Sequence, residues 1–439
     1  MNMLPGARKE IGAACLFLVM VPVLIVVPAG SVYAQVGADS SAAREIQYVD
    51  PNAATGSSKA TIAGNVPLAH TEQLLPLDEN GQLVGEGNAR AQTGRVLENL
   101  RLALSETGAD LKDVLKVNVY AAQAEVVQKV QDHFAERFAG KAKPAVSFVV
   151  TALPRQGALV AMDAVAVAEP TETSRERAVY RADALGGVPR RGHVAVMPPR
   201  GKVYVSGQVA PGNLIEATRG TMESLHATLA YLGLSADDVV QVKGFMPDIT
   251  RAARVEEVIA SYYQEKPSPP VVLMEWTNAQ YLSYLSTKGK EATPIEIELI
   301  AAPGTAHDVS APAGRAISYV TPPNMTTPAT YSRTSIVHRG NLLYTSGFYG
   351  DPSSKDAAGQ VRDIFQTLER VLEEAGTDVD HLAKGTYYVT GPGASEALNE
   401  IRRDVYDPKR APASAKMPVE SVGKRGALVT IDMIGVVPE

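Results

Sequence analysis

The sequence predicts an α+β protein built from three tandem copies of one unit. Three observations predict it. The first is a helix, a glycine stop and a strand that recur three times. Within residues 218–246, Met222, Leu225, Leu229 and Leu232 fall at i, i+3, i+7 and i+10, which lines one face of a helix. Gly233 stands where a left-handed residue ends such a helix, and residues 239–246 are short, β-branched and aromatic, as a strand is. Residues 96–120 repeat this with Leu97, Leu100, Leu104 and Gly108, and residues 361–389 repeat it with Ile364, Leu368, Val371, Leu372 and Gly376. The second observation is a closing strand that carries one acid. The acids are Asp163, Glu298 and Asp432, spaced 135 and 134 residues apart despite unequal loops. The third is a second amphipathic helix before each closing strand, marked by Val127, Val130, Phe134 and Phe138, by Val255, Val258, Ile259, Tyr262 and Tyr263, and by Leu398, Ile401 and Val405.

A chain of 439 residues suits two or three domains, and 45% apolar with 21% charged residues is the balance of a globular protein. The net charge of −6 is spread over both signs with no basic stripe. That excludes the electrostatic footprint of a nucleic-acid binder, so no nucleic-acid partner is expected.

The first 34 residues differ from the rest. Arg8 and Lys9 precede an apolar run over 11–27, and Val32-Tyr33-Ala34 precedes Gln35 as a cleavage site would. This is the pattern of a secretory signal peptide over 1–34, and it predicts an exported protein, periplasmic or extracellular. A membrane partner is expected only if that segment stays uncleaved as an anchor. The single cysteine, Cys15, lies inside the run, so the mature chain has neither disulfide nor thiol chemistry. Residues 35–59 lack periodicity and read as a flexible leader. The copies follow at 60–168, 179–302 and 316–438, separated by polar and Pro/Gly-bearing linkers. Each opens on a short apolar hairpin arm, such as residues 202–208. A sheet with two helices on one face leaves its other face to be buried. Three copies in one chain answer that need around a pseudo-threefold axis, as a monomeric pseudo-trimer.

Asp163, Glu298 and Asp432 are the polar feature kept in all three copies. They read either as a general base or water-orienting acid at each inter-copy cleft, or as acids satisfied by backbone donors at a domain junction. Glu296, two residues before Glu298, shares its face on a regular strand, with one of the pair at an edge. The seven histidines show no ligand spacing, and no phosphate-binding loop or nucleophile elbow appears, so neither metal nor cofactor is expected. Ser206 and Ser346 have no partner histidine in the motif.

The pattern resembles the RidA/YjgF family, once labelled endoribonuclease L-PSP. Val205-Ser206-Gly207-Gln208 matches its hairpin, residues 97–110 its helix and glycine turn, and residues 157–166 and 426–435 its C-terminal strand. The resemblance covers nearly all of the chain after residue 60, three times. It implies a chorismate-mutase-like subunit, a trimeric arrangement with a small-molecule cleft at each interface, and hydrolysis of imines or enamines derived from amino acids. It implies an arginine in a Pro-x-Arg-Ser turn that grips the substrate carboxylate, and an acid on the last strand that handles the water. Carried onto this chain, it gives Glu298, Asp432 and Asp163 as catalytic, with Ser206, Gly207, Ser346, Gly347 and Tyr331 binding the ligand. The arginine is absent, with Val146, Val271 and Ser414 at its place. Lys416, Arg410 and Arg155 are the cations that could replace it, against the reading that they are solvated surface charges. Copy one has Thr71-Glu72-Gln73 where the others have Ser-Gly, and copy two has an extra stretch at 280–293 with Tyr281 and Tyr284, a surface hairpin or a lid. Two functions are therefore expected to compete: an exported imine or enamine hydrolase of altered specificity, and a non-catalytic ligand-binding or scaffold protein of the same architecture. The acidic balance speaks against a nuclease.

Overall fold

A computed structural model describes residues 45–438, apart from 187–189, 264–265, 305–313, 355 and most of 277–292. The signal-like segment and the stretch around Tyr281 and Tyr284 lie outside the described residues. Copy one contains β1 (Gln47–Asn52), β2 (Ser57–Ala63), β3 (Leu68–Thr71), α1 (Ala89–Ser105), β4 (Val114–Ala121), α2 (Ala124–Arg137), β5 (Ala145–Val150) and β6 (Val160–Val167). Copy two contains β7 (Ala178–Tyr180), β8 (Val194–Met197), β9 (Lys202–Gln208), α3 (Leu214–Tyr231), β10 (Val239–Met246), α4 (Ala252–Ser261), β11 (Val271–Glu275) and β12 (Glu296–Ala301). Copy three contains β13 (Ile317–Val320), β14 (Thr334–Val337), β15 (Asn341–Thr345), β16 (Phe348–Tyr349), α5 (Ala357–Glu374), β17 (Leu382–Val389), α6 (Pro392–Val405), β18 (Ala413–Pro418) and β19 (Val429–Val437).

The local signals act as their chemistry requires. Asn88, Asn213 and Asp356 cap α1, α3 and α5 by accepting first-turn backbone N–H groups. Gly108, Gly233 and Gly376 follow those helices at φ of 68°, 74° and 79°, a region that penalises any Cβ. The apolar helix faces pack on one side of their own sheets, with Leu100, Leu225 and Leu368 fully buried in three separate cores. A fourth core draws Leu68 and Leu115 from copy one, Tyr204 and Ile300 from copy two, and Leu342 and Val436 from copy three, so the helix-free sheet faces meet one another.

Strand order departs from the expected hairpin arms. The two strands of each arm do not pair with each other. The leading strand β8 pairs with β3 of copy one, β14 with β9 of copy two, and β2 with β15 of copy three. Each copy thus lends the leading strand of its arm, β2, β8 or β14, to the preceding one, and the loan closes in a cycle. Each second strand stays in its own sheet, against the closing strand. Prolines in two of the connections, Pro67 and the pair Pro198-Pro199, favour extended backbone over a tight reversal. A further correction concerns the leader. Its last part is ordered, because β1 pairs with β2 in antiparallel register from Gln47↔Ile62 to Asn52↔Ser57. Among the described residues no helix is long and apolar enough to cross a membrane.

Candidate functional site

The exchanged strands create three seams that are equivalent by backbone hydrogen bonding. Ser206 N–H donates to Arg333 O at 2.9 Å, Ser346 N–H to Lys59 O at 2.8 Å, and Glu72 N–H to His193 O at 2.9 Å. The closing strands are also in common register. Ala161, Glu296 and Thr430 sit opposite Tyr120, Phe245 and Tyr388, while Asp163, Glu298 and Asp432 sit opposite Asn118, Lys243 and Thr386.

That register overturns the expected placement of one acid at each seam. Asp163, Glu298 and Asp432 all line one small cavity of about 50 Å³, together with Lys116, Lys243 and Lys384. Lys384 Nζ lies 2.9 Å from Glu298 Oε1, and Lys116 Nζ 3.8 Å from Asp432 Oδ2, so both pairs join different copies. Asp163 accepts from Tyr120 OH at 2.5 Å and Asn118 Nδ2 at 2.9 Å. Lys116 also donates to Ser147 Oγ at 2.5 Å and Thr345 O at 2.6 Å. Burial pushes its ammonium down to about 8 against the pull of Asp432. The acids stand at the junction of the copies, balanced by lysines. The physical reason is the two-residue strand period: the position that reaches the shared inner face recurs in every copy, whatever the seams contain.

The seam of copies two and three holds a different acid, Glu296. It lines a cavity of about 830 Å³ with Gly207, Tyr331, Arg402, Ser414 and Lys416. Glu296 and Glu298 do share a strand face, but they open on different spaces. The Glu296 side chain lies against Gly207, where a Cβ would overlap its carboxyl group. Its surface is partly open to the cavity, yet enough protein surrounds it that burial, helped by the Glu298 charge, pushes its carboxyl up to about 8; Lys416 and Lys384 oppose the shift. Lys416 donates to Ser395 Oγ at 2.8 Å and Asn399 Oδ1 at 2.9 Å, and burial with Arg402 repulsion holds it at about 8. Of the other cations considered, Arg410 pairs with Asp380 at 2.8 Å and Arg155 is exposed. Ser206 is not free for ligand. Its hydroxyl donates to Ser332 O at 2.6 Å and accepts from Ser414 N–H at 2.7 Å.

The other two seams differ in kind. Between copies three and one, Ser346 and Gly347 line a cavity of about 320 Å³ with Lys59, Lys424 and Tyr349. The Ser346 hydroxyl donates to Ser58 O at 2.6 Å and accepts from Val146 N–H at 2.7 Å, and Thr430 stands where copy two has its acid. Between copies one and two, Glu72 replaces the serine. Its buried carboxylate pairs with Arg191, which reaches Glu256 at 2.9 Å. Glu72→Ala leaves the guanidinium one partner short, and equilibrium denaturation is expected to show a loss of about 1–3 kcal/mol. Unchanged stability would mean that this pair does not hold the seam.

Glu296, Arg402 and the siting of Lys416 were the residues that sequence reasoning underweighted. One signal was present: in the aligned closing strands, copies one and three carry Ala161 and Thr430 where copy two carries an acid. Arg402 gave no signal beyond its place on an amphipathic helix.

Comparison with known proteins agrees with this repeat structure. The Endoribonuclease L-PSP family model matches residues 44–168, 188–302 and 323–437. A RutC family protein of Pyrococcus abyssi is 40% identical over 97 residues, which is 22% of this chain and 74% of that protein. The 3-aminoacrylate deaminase RutC of Acinetobacter baylyi is 35% identical over 107 residues, 24% of this chain and 82% of its own. Among solved structures, a Rid-family protein of unknown function from Yersinia pestis is 26% identical over 28% of this chain and 98% of its own, at a TM-score of 0.26. With its family model matched three times over most of its length, the chain belongs to the Endoribonuclease L-PSP family, the RidA/YjgF group, as three tandem copies of the domain.

Proposed function

We propose that this chain is an exported, single-chain pseudo-trimer that hydrolyses an imine or enamine at the seam of copies two and three. The observation that carries the reading is the Glu296 carboxyl, set against Gly207 in a cavity shared with Lys416, where burial pushes it up to about 8. A neutral carboxylic acid can protonate the enamine carbon and generate an iminium ion. The carboxylate left behind takes a proton from the water that attacks the iminium carbon. The carbinolamine then collapses to carbonyl and ammonia, so one water enters and one ammonia leaves. The deaminase named among the relatives supports this reaction class. With serine at 414 and the cation at Lys416, the anion-binding position is displaced along β18, which supports an altered substrate. The binding-only reading applies to the other two seams, where Ala161 and Thr430 offer no acid.

Ammonia release from 3-aminoacrylate and a panel of related enamines tests the proposal. Turnover is expected for at least one, with kcat/KM falling as pH rises through about 8, where Glu296 ionises. No turnover across the panel would sink the hydrolase reading. Export is tested separately: N-terminal sequencing of protein made in a secreting host is expected to begin at Gln35, and a retained Met1 would overturn cleavage.

A further inference from the structure

The cavity at the seam of copies two and three is walled by cations from two directions. Lys416 on β18 and Arg402 on α6 form one wall, with the exposed Arg403 next to Arg402. Arg333 comes from the other, at the entry to β14, whose backbone is hydrogen-bonded to β9 of copy two. The sole carboxyl among the described lining residues is Glu296. Arg402 is the informative member. It is 4% exposed, its Nη2 donates to Asn399 Oδ1 at 2.8 Å, and its guanidinium lies 4.5 Å from the Tyr387 ring centroid. Its Nε has no hydrogen-bond partner among the described residues. A buried guanidinium held by neutral groups alone is unfavourable, and an anion in the cavity relieves it. Arg333 is held in place on its own side. Its Nε donates to Thr326 O at 3.1 Å, and its guanidinium lies 5.4 Å from the Tyr331 ring centroid. Its Nη2 also donates to Thr326 Oγ1 at 3.3 Å, which leaves Nη1 as the guanidinium nitrogen without a hydrogen bond among the described residues.

We propose that the ligand of this seam is a small dicarboxylate, with one carboxylate held by Lys416 and Arg402 and the other by Arg333. A single carboxylate satisfies one wall and leaves the opposite guanidinium facing solvent. Two separated carboxylates engage cations on both walls and place the carbon chain between them, beside Glu296. The inference rests on the seam being the ligand site, but not on turnover there.

Isothermal titration of the mature chain with succinate, glutarate, butyrate and methyl phosphate tests it. One of the diacids is expected to bind about tenfold more tightly than butyrate, the ratio set by one added charge-assisted contact. Arg333→Met is expected to bring the diacid down to the level of butyrate while leaving butyrate itself unchanged. Because Arg333 is only half-buried and forms no ion pair among the described residues, this variant is expected to fold. Lys416→Met is expected to weaken all three carboxylates. The proposal is overturned if butyrate or methyl phosphate binds as tightly as the diacids. It is also overturned if neither diacid binds at millimolar concentration, or if the diacid preference survives Arg333→Met. Turnover of a monocarboxylate enamine without diacid binding would sink this inference and spare the hydrolase reading. Diacid binding without turnover of any enamine would do the reverse.

Discussion

Glu296→Gln is expected to lower kcat/KM about 10²- to 10⁴-fold, the span usual for loss of a positioned acid–base group. The substitution keeps shape and removes the proton. Gly207, which accepts the carboxyl against its own backbone, can accept the amide equally. The raised carboxyl also makes stability depend on pH, whether or not Glu296 turns substrate over. The carboxyl is raised from its ordinary value to about 8 in the folded protein, chiefly by burial. The folded state therefore holds that proton more tightly than the unfolded chain does. Its contribution to stability is fully present below the ordinary carboxyl range and is lost as pH rises through about 8. Wild type is thus expected to lose thermal stability between pH 5 and 9 more steeply than Glu296→Gln does. Parallel curves for the two proteins, or wild-type turnover in the variant, would remove Glu296 from its proposed role.

Glu298→Ala is expected to destabilise the chain by about 3–5 kcal/mol, because it strands the Lys384 ammonium in the interior. Glu298 and Lys384 are 2% and 5% exposed and 2.9 Å apart, so neither can recover its hydration by a small movement. The loss arises mainly from the unpaired charge and less from the pair itself. The double change of Glu298→Leu with Lys384→Met is accordingly expected to recover most of the stability. Denaturant titration reads both variants. A mild single-variant effect, or a double variant no better than the single, would show that the central acids and lysines do not hold the copies together. The two tests separate neighbouring acids on one strand, since Glu296 is expected to govern turnover and Glu298 to govern assembly of the fold.

This division was only half legible in the chain. The closing-strand acids were visible because they recur at near-constant spacing, and recurrence tracks whatever every copy needs. Every copy needs the junction, so Asp163, Glu298 and Asp432 mark the junction. A site in one seam out of three recurs nowhere. Glu296 therefore looked like an extra acid at a strand edge, and Lys416 like a surface charge. Burial brings the two into one cavity, and burial depends on which copy stands opposite.

By itself the sequence determined the three copies, the helix faces of Leu100, Leu225 and Leu368, the left-handed stops at Gly108, Gly233 and Gly376, and the strands that follow. These are decided within a few residues by side-chain period, capping and the permitted φ of glycine. Only the tertiary structure decided that β2, β8 and β14 leave their own arms for a neighbouring sheet. It also decided that three acids converge on three lysines and that one seam keeps an acid among cations. The reason is that any of the three similar sheets offers a leading strand much the same edge. The partner is chosen by how the whole chain closes, which no local stretch encodes.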